Sequence, residues 1–354
     1  SATRQANSSW REYVLEAVAG SAKKAHAFVK ADPSHNIHLI NSAGQLGVGP
    51  KLEEEAEAWA KEWGGKVGAD YTGEAYIEAK AALKEGIGDT TLMEWDEIDE
   101  MLSPSNLKTT AATFPAKTST GCDLAKLSCL AALPLYIWEE LANTAKAMVR
   151  QARAPSQIKP VMLFLLGKKG GGYRTIGVIS FLLRVVMRAL GPLFRRFDGL
   201  HADPTDSATG GAGGAEYAAF VASVSDEIDI ELGTLVIRVF WDLRKFFDSV
   251  KPGILAMDCI EGGLSPPLVA LALDLHGSPR YLGLQGSFQG PIGGFDRSIV
   301  AGCTSSTTLR RRYIRLPLLA ARDEEPTAAN WQHIDDVCQR TFGADPGDVA
   351  NRAV

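Results

Sequence analysis

The residues best placed to do chemistry are carboxylates at the ends of apolar runs. Val236-Ile-Arg-Val-Phe-Trp is an apolar stretch that ends in Asp242 and continues Leu-Arg-Lys-Phe-Phe to Asp248. Further on, His333-Ile-Asp335-Asp336-Val sets two adjacent acids among apolar neighbours. Adjacent carboxylates repel one another, and in an apolar setting one of their pKa values must rise. A divalent cation removes that penalty. Asp242 from one strand and Asp335 from a neighbouring hairpin are therefore the candidate ligands of Mg²⁺, with Mn²⁺ as the alternative. Imidazole or thiolate at these positions would instead select a softer metal. Paired ions about 3.5–4 Å apart activate an attacking 3′-hydroxyl and stabilise a leaving pyrophosphate.

A second cluster is cationic. Gly167-Lys-Lys-Gly-Gly-Gly-Tyr-Arg-Thr joins two strand-like runs through a basic, glycine-rich turn. Lys168, Lys169 and Arg174 are candidate triphosphate ligands, lysine as a point charge and arginine as a fork for phosphate oxygens. The turn does not match the GxxxxGK[ST] phosphate loop, which disfavours a Walker-type ATPase. Gly210-Gly-Ala-Gly-Gly-Ala-Glu216 does not make GxGxxG and reads as a loop. Taken alone, Asp335-Asp336 is most simply a turn, and a strand ending in an aspartate is common. It is their joint occurrence with the basic turn that points to phosphoryl chemistry.

Elements must bring these residues together. Amphipathic rhythm predicts helices over Trp10–Lys30, Lys51–Trp63, Ala75–Glu85, Pro134–Arg153, Phe181–Phe197, Ala215–Ile230, about 252–262, 266–276 and Cys303–Ala321. Strands are expected at 158–166, Ile176–Ile179, Thr234–Trp241 and Arg280–Leu284. A hairpin is expected over Trp331–Phe342 with the acidic pair at its tip, and a loop over 199–214. The Ser/Thr/Pro/Ala-rich stretch from 101 to 120 reads as a linker, dividing a helical N-terminal extension (1–105) from a second domain (106–354).

The net charge of −5 over 354 residues does not by itself point to nucleic acid, but it is unevenly spread. Residues 51–100 hold fifteen acids and five bases, whereas residues 141–197 hold eleven Lys/Arg and no acid. Ordinary apolar content, 45%, excludes a disordered or collagenous chain. Five scattered cysteines make no disulfide framework or zinc pattern and read as buried free thiols. No signal peptide is visible. The most apolar stretch, Val178–Phe194, is interrupted by Arg184 and Arg188, so no membrane span or membrane partner is expected. His26, His35 and His38 do not stand at metal-binding spacing.

The ordered set of motifs from about residue 117 to 342 resembles a reverse transcriptase (RNA-directed DNA polymerase) of the non-LTR retrotransposon or group II intron type. Lys117-Thr-Ser-Thr-Gly-Cys-Asp123 is similar to the family's opening Gly-x-Asp motif. Gly167 to Gly177 resembles the fingers motif K-x-G-x-x-R-P-I. Asp242-Leu-Arg-Lys-Phe-Phe-Asp248 resembles palm motif A, D-L-x-K-A-F-D, and Ile334-Asp335-Asp336 resembles palm motif C. Ser298-Ile-Val-Ala-Gly302-Cys303 stands where motif B belongs. The chain departs from the pattern at four positions: Ala301 for Gln, Phe246 for Ala, Thr175 for Pro, and His333 for Tyr or Phe.

The resemblance implies an α+β right hand, with fingers and a palm whose antiparallel sheet is flanked by helices, behind the helical N-terminal extension; the family's thumb would follow motif C, and with only 18 residues from Asp336 to Val354 none is expected in this sequence. It implies transfer of nucleotides from dNTPs onto a DNA primer along an RNA template, with Mg²⁺. Asp242 and Asp335 would be the metal ligands, and Asp336 would complete the catalytic acid pair. Lys169 and Arg174 would hold the triphosphate. Phe247 would pack under the sugar and exclude a 2′-hydroxyl, and Gly302 would let the backbone approach the nascent base pair. Arg184, Arg188, Arg195 and Arg196 on one helix, and Arg310–Arg312 with Arg315 on another, are candidate phosphate contacts along a template–primer duplex. An intracellular location is expected, nuclear in a eukaryote. Two rivals remain open: a catalytically inactive retroelement remnant that binds nucleic acid without synthesis, and an RNA-dependent RNA polymerase, against which Phe247 argues.

Overall fold

The computed structural model describes residues 39–168, 172–202, 206, 214–243, 245–324, 329–333 and 336–352. The helix predicted over Trp10–Lys30, most of the 199–214 loop and the glycine run at 210–213 lie outside them.

The described elements run in the order α1 (Val48–Trp63), β1 (Lys66–Val67), α2 (Glu74–Ala82), α3 (Lys84–Gly88), α4 (Leu92–Met101), α5 (Pro104–Ala112), α6 (Leu127–Ala131) and α7 (Leu135–Arg150). They continue with β2 (Val161–Gly167), β3 (Tyr173–Val178), α8 (Phe181–Ala189), α9 (Gly191–Leu200), α10 (Gly214–Glu231), β4 (Leu235–Asp242), α11 (Phe246–Ser249), α12 (Pro252–Glu261) and α13 (Pro266–His276). Last come β5 (Arg280–Leu284), β6 (Ser287–Gly293), α14 (Ser306–Glu324), β7 (Ala329–His333), β8 (Asp336–Gly343) and α15 (Pro346–Arg352).

Local chemistry explains the boundaries. In α1, Leu52, Ala56, Trp59, Ala60 and Trp63 recur at helical spacing and are buried, and Gly64 closes the helix in the left-handed region at φ 70°. Thr91 and Glu94 form a reciprocal capping box on α4. Pro104, Pro252 and Pro266 each open a helix where the missing N–H costs nothing. In β2 the burial alternates strictly, the signature of a strand packed on one face.

Two sheets organise the fold, which is α+β. One is five-stranded and mixed, in the order β1-β6-β5-β2-β3; the other is three-stranded, β4-β8-β7. Strands β2 and β3 form an antiparallel hairpin, while β2 and β5 run parallel, Val161 opposite Arg280. In the second sheet β4 runs antiparallel to β8 along its whole length, from Leu235 opposite Gly343 to Asp242 opposite Asp336.

Several expectations need correction. The 101–120 segment is not a linker. Ser103-Pro104 starts α5, whose Leu107, Thr110 and Ala111 are buried, and Leu107 and Ala111 belong to the same apolar cluster that runs from Leu52 to Leu309. The Phe181–Phe197 helix is two helices, because Gly191-Pro192 ends α8 and restarts the chain as α9. The Ala75–Glu85 helix likewise divides at Leu83 into α2 and α3. Strand β6 was not foreseen; its Ser-Phe-Gln-Gly-Pro sequence is poor in β-branched residues and pairs non-locally with both β5 and β1. Among the described residues no helix is long and apolar enough to cross a membrane.

Candidate active site

A cavity of about 340 Å³ lies where the two sheets and α1 meet. Its lining includes Lys168 and Arg174 from the β2–β3 hairpin, Asp242 at the end of β4, Phe247 and Asp248 on α11, and Val300 and Ala301 from the segment before α14. Residues chosen from separate stretches of the chain thus line one space. Lys168, Arg174 and Asp242 are exposed to solvent there, and Phe247 is half-buried against the main core.

Each is positioned by backbone pairing. Lys168 N donates to Gly172 O at 3.0 Å, and Arg174 pairs with Leu166 in the hairpin ladder. Gly177 brings β3 against the 299–302 segment: its N donates to Ala301 O at 3.3 Å, and a Cβ there would stand 2.5 Å from Val300 Cγ1. Gly302 has φ +98°, a conformation natural to glycine, beside the cavity-lining Ala301. Asp242 is the last residue of β4 and the register partner of Asp336. Asp335 and Lys169 lie outside the described residues, as does Arg244. Among the described residues no group of three His, Cys, Asp or Glu gathers to hold a metal ion. Of the expected ligand set, the described part is Asp242 and the register position of Asp336.

The back wall contains residues that sequence reasoning did not assign. Lys245, in the left-handed region at φ +48°, ion-pairs with Glu62 of α1 (2.9 Å), and its ammonium sits 4.4 Å from the Trp59 ring centroid. Asp248 Oδ1 accepts from Trp63 Nε1 at 2.7 Å and from Ser298 Oγ at 3.3 Å. Burial raises the Asp248 pKa, opposed by the Trp63 hydrogen bond and by the Arg280 and Lys245 charges. Arg280 is buried and lies 4.5 Å from both the Trp63 and the Phe295 ring centroids. The sequence signals for this wall were Lys245 and Asp248 within the motif-A-like run, Ser298 at the start of the motif-B-like run, and Trp59 and Trp63 at i, i+4 on an acidic helix. Nothing local marked Arg280.

Phe246, larger than the alanine of the resembled motif, is buried in a small satellite cluster with Ile314 of α14 and Val337 of β8. Its bulk is therefore taken up by packing and is not directed at the cavity alone.

The arginines expected to track nucleic acid are mostly engaged elsewhere. Arg188 stacks 3.6 Å from the Phe114 centroid and donates to Thr113 Oγ1, and Arg196 pairs with Glu97 at 2.5 Å. Arg184 is half-buried, with its pKa lowered by burial, and Arg195 is exposed. In α14, Arg310 and Arg312 are buried, Arg311 bridges Asp198 and Asp206, and Arg315 donates to His201 O. Arg311 ties α14 to Asp198 of α9 and Arg312 ties it to Asp258 O of α12 at 2.5 Å, so these two side chains serve packing within the fold and do not form a free basic track. Asp123, read as part of the opening motif, accepts from Phe181 N at 2.5 Å, satisfying an orphan donor at the start of α8.

No protein-family model matches the chain, and no curated protein matches it in sequence.

Proposed function

We propose that the chain is a template-directed nucleotidyltransferase, an RNA-directed DNA polymerase of the retroelement type. In this reading the β2–β3 hairpin belongs to the fingers and the β4-β8-β7 sheet to the palm. The observation that carries it is the shared cavity: Asp242, Lys168, Arg174 and Phe247, separated by up to 79 residues of chain, line one space of about 340 Å³. That volume falls within the range of small-molecule sites.

The donor set fits a hard divalent cation. Asp242 offers an exposed carboxylate in a cavity without a cysteine or histidine in its lining, and Asp336 occupies the rung opposite. Asp242 and Asp335 would hold Mg²⁺, with Mn²⁺ as the substitute; when bound, it supplies Lewis-acid activation of the primer 3′-hydroxyl and charge neutralisation at the phosphates.

The chain's own residues do the rest. Lys168 and Arg174, at the mouth of the hairpin, bind the triphosphate of a dNTP. Phe247 packs under the sugar and leaves no room for a 2′-hydroxyl. Ala301 and Gly302 expose backbone beside the nascent base pair. Lys245, held by Glu62 and Trp59, keeps the turn after Asp242 in its left-handed conformation.

Primer extension tests the reading. An RNA template, a DNA primer, dNTPs and Mg²⁺ should give extension that Asp242→Asn and Asp335→Asn abolish. Template binding without extension in either Mg²⁺ or Mn²⁺ would instead identify a remnant that keeps nucleic-acid affinity alone.

A further inference from the structure

Behind the cavity lies a polar node built from four distant segments. Arg280, at the start of β5, is 1% exposed and lies against the rings of Trp63 of α1 and Phe295, which themselves meet edge to face at 5.4 Å. Its Nη1 donates to Ser298 Oγ at 2.8 Å, and its Nη2 donates to His276 O at 3.1 Å and to Ser298 O at 3.4 Å. Ser298 Oγ in turn donates to Asp248 Oδ1 at 3.3 Å, so one hydroxyl links a buried cation to a carboxylate on α11. Tyr76 OH donates to Ser298 O from the opposite side. Two backbone bonds complete the weld: Ser298 N to Val250 O and Ile299 N to Phe247 O, both at 2.8 Å.

Burying a guanidinium this completely costs stability unless its partners are well placed, and an apolar side chain of similar volume would pack the same wall more cheaply. The node also holds Ser298 at φ +101°, a backbone state that non-glycine residues rarely adopt. Cost and strain are both concentrated where the segment before α14 is tied to the carbonyl of Phe247.

We propose that Arg280 and Ser298 are positioning residues that set the depth of Phe247 in the cavity and thereby the discrimination between deoxyribo- and ribonucleotides. This rests on the nucleotide-binding reading given above. Arg280 fixes Ser298, Ser298 fixes Asp248 at one end of the short α11, and Ile299 N fixes Phe247 directly. Loss of the hydroxyl leaves Phe247 one tether, so its ring can recede from the sugar. Burial raises the pKa of Asp248 and lowers that of Arg280, which accords with a hydroxyl relay in place of a direct ion pair.

The test compares Ser298→Ala with Tyr76→Phe. Ser298→Ala removes two hydrogen bonds, the one from Arg280 Nη1 and the one to Asp248 Oδ1, and so cuts the link between them; Tyr76→Phe removes one, and Ser298 O keeps Arg280 Nη2 as donor. Single-nucleotide incorporation is measured with a dNTP and with the matching rNTP, KM and kcat separately, alongside melting temperatures. Binding of each nucleotide is followed by tryptophan fluorescence. The expected result is a fall in the dNTP/rNTP preference of Ser298→Ala by about 10-fold, the scale of a small displacement at a reacting centre, carried by tighter rNTP use. Tyr76→Phe should melt lower yet keep the wild-type preference. An unchanged preference in Ser298→Ala, or a change in both variants in proportion to melting temperature, overturns the inference alone. A wild-type chain that neither binds nor incorporates a nucleotide overturns the proposed function and this inference with it.

Discussion

At the scale of single residues, the cavity sorts its polar groups into exposed and buried sets with different duties. Lys168, Arg174 and Asp242 face solvent, where a charged ligand can reach them. Removing the Asp242 carboxylate charge in Asp242→Asn should lower primer extension by more than about 100-fold, as loss of a group acting on developing charge does; steady-state incorporation assays check this. Phe247→Ala should raise rNTP incorporation relative to dNTP, and an unchanged ratio would remove Phe247 from the sugar contact. Behind the cavity-lining Val300, one buried group answers to pH. His276 is fully buried, its pKa lowered to about 3 by desolvation and by the Arg280 charge, while its Nδ1 accepts from Val300 N at 3.1 Å. A histidine whose folded pKa lies below its unfolded value resists protonation only in the fold. Its stabilising contribution is whole above about pH 6.5 and is lost progressively as pH falls toward 3. Urea unfolding at pH 7 and pH 5 should show a loss of about 2 kcal/mol from this group. His276→Asn, whose Oδ1 can stand in for Nδ1, should flatten that dependence.

At the scale of elements, what could be read from sequence was whatever a local pattern encodes. β4 was legible because Leu235–Trp241 is a short, β-branched, apolar run that stops at Asp242, and α1 because its apolar residues recur at helical spacing. The ends of α8 and α9 were misjudged because an apolar, arginine-bearing rhythm runs on through Gly191-Pro192, and the break is set by proline's missing donor rather than by hydropathy. β6 was invisible because its pairing with β1 and β5 is settled by distant strands. The 101–120 stretch misled for a different reason. Ser, Pro, Thr and Ala are loop-like in composition, yet Ser-Pro is also a helix start and Ala-rich turns propagate helix well. Leu107→Ala tests the difference: a core helix loses about 2–5 kcal/mol on chemical denaturation. A linker position would lose less than about 0.5 kcal/mol. Trp63→Phe should keep the ring against Arg280 while losing the bond to Asp248, at a cost of about 1.5–3 kcal/mol for a hydrogen bond to a charged acceptor.

At the scale of the whole molecule, the site depends on long-range closure. The wall formed by Trp59 and Trp63 comes from the front of the chain, the cationic hairpin from the middle, and the carboxylate and its opposite rung from the β4–β8 ladder. The candidate carboxylates, hairpin cations and Phe247 were legible as residue types in a known order, and Lys245 and Ser298 stood in the same runs without a role, whereas Trp63 and Arg280 carried no such mark, since their significance arises only when the segments meet. The N-terminal helices share one apolar cluster with β2, α8 and α13, so a chain starting at residue 106 would expose the faces that Trp63 and Tyr76 cover. Circular dichroism should show such a truncation to lack a cooperative melting transition. The most direct test of the central claim, that the shared cavity selects and transfers a nucleotide, is single-nucleotide extension of a DNA primer on an RNA template by the wild-type chain and by Asp242→Asn. Templated addition of the complementary dNTP by the wild type, absent in the variant, is the predicted result. Equal extension by both proteins, or none by the wild type in Mg²⁺ and in Mn²⁺, would contradict the account.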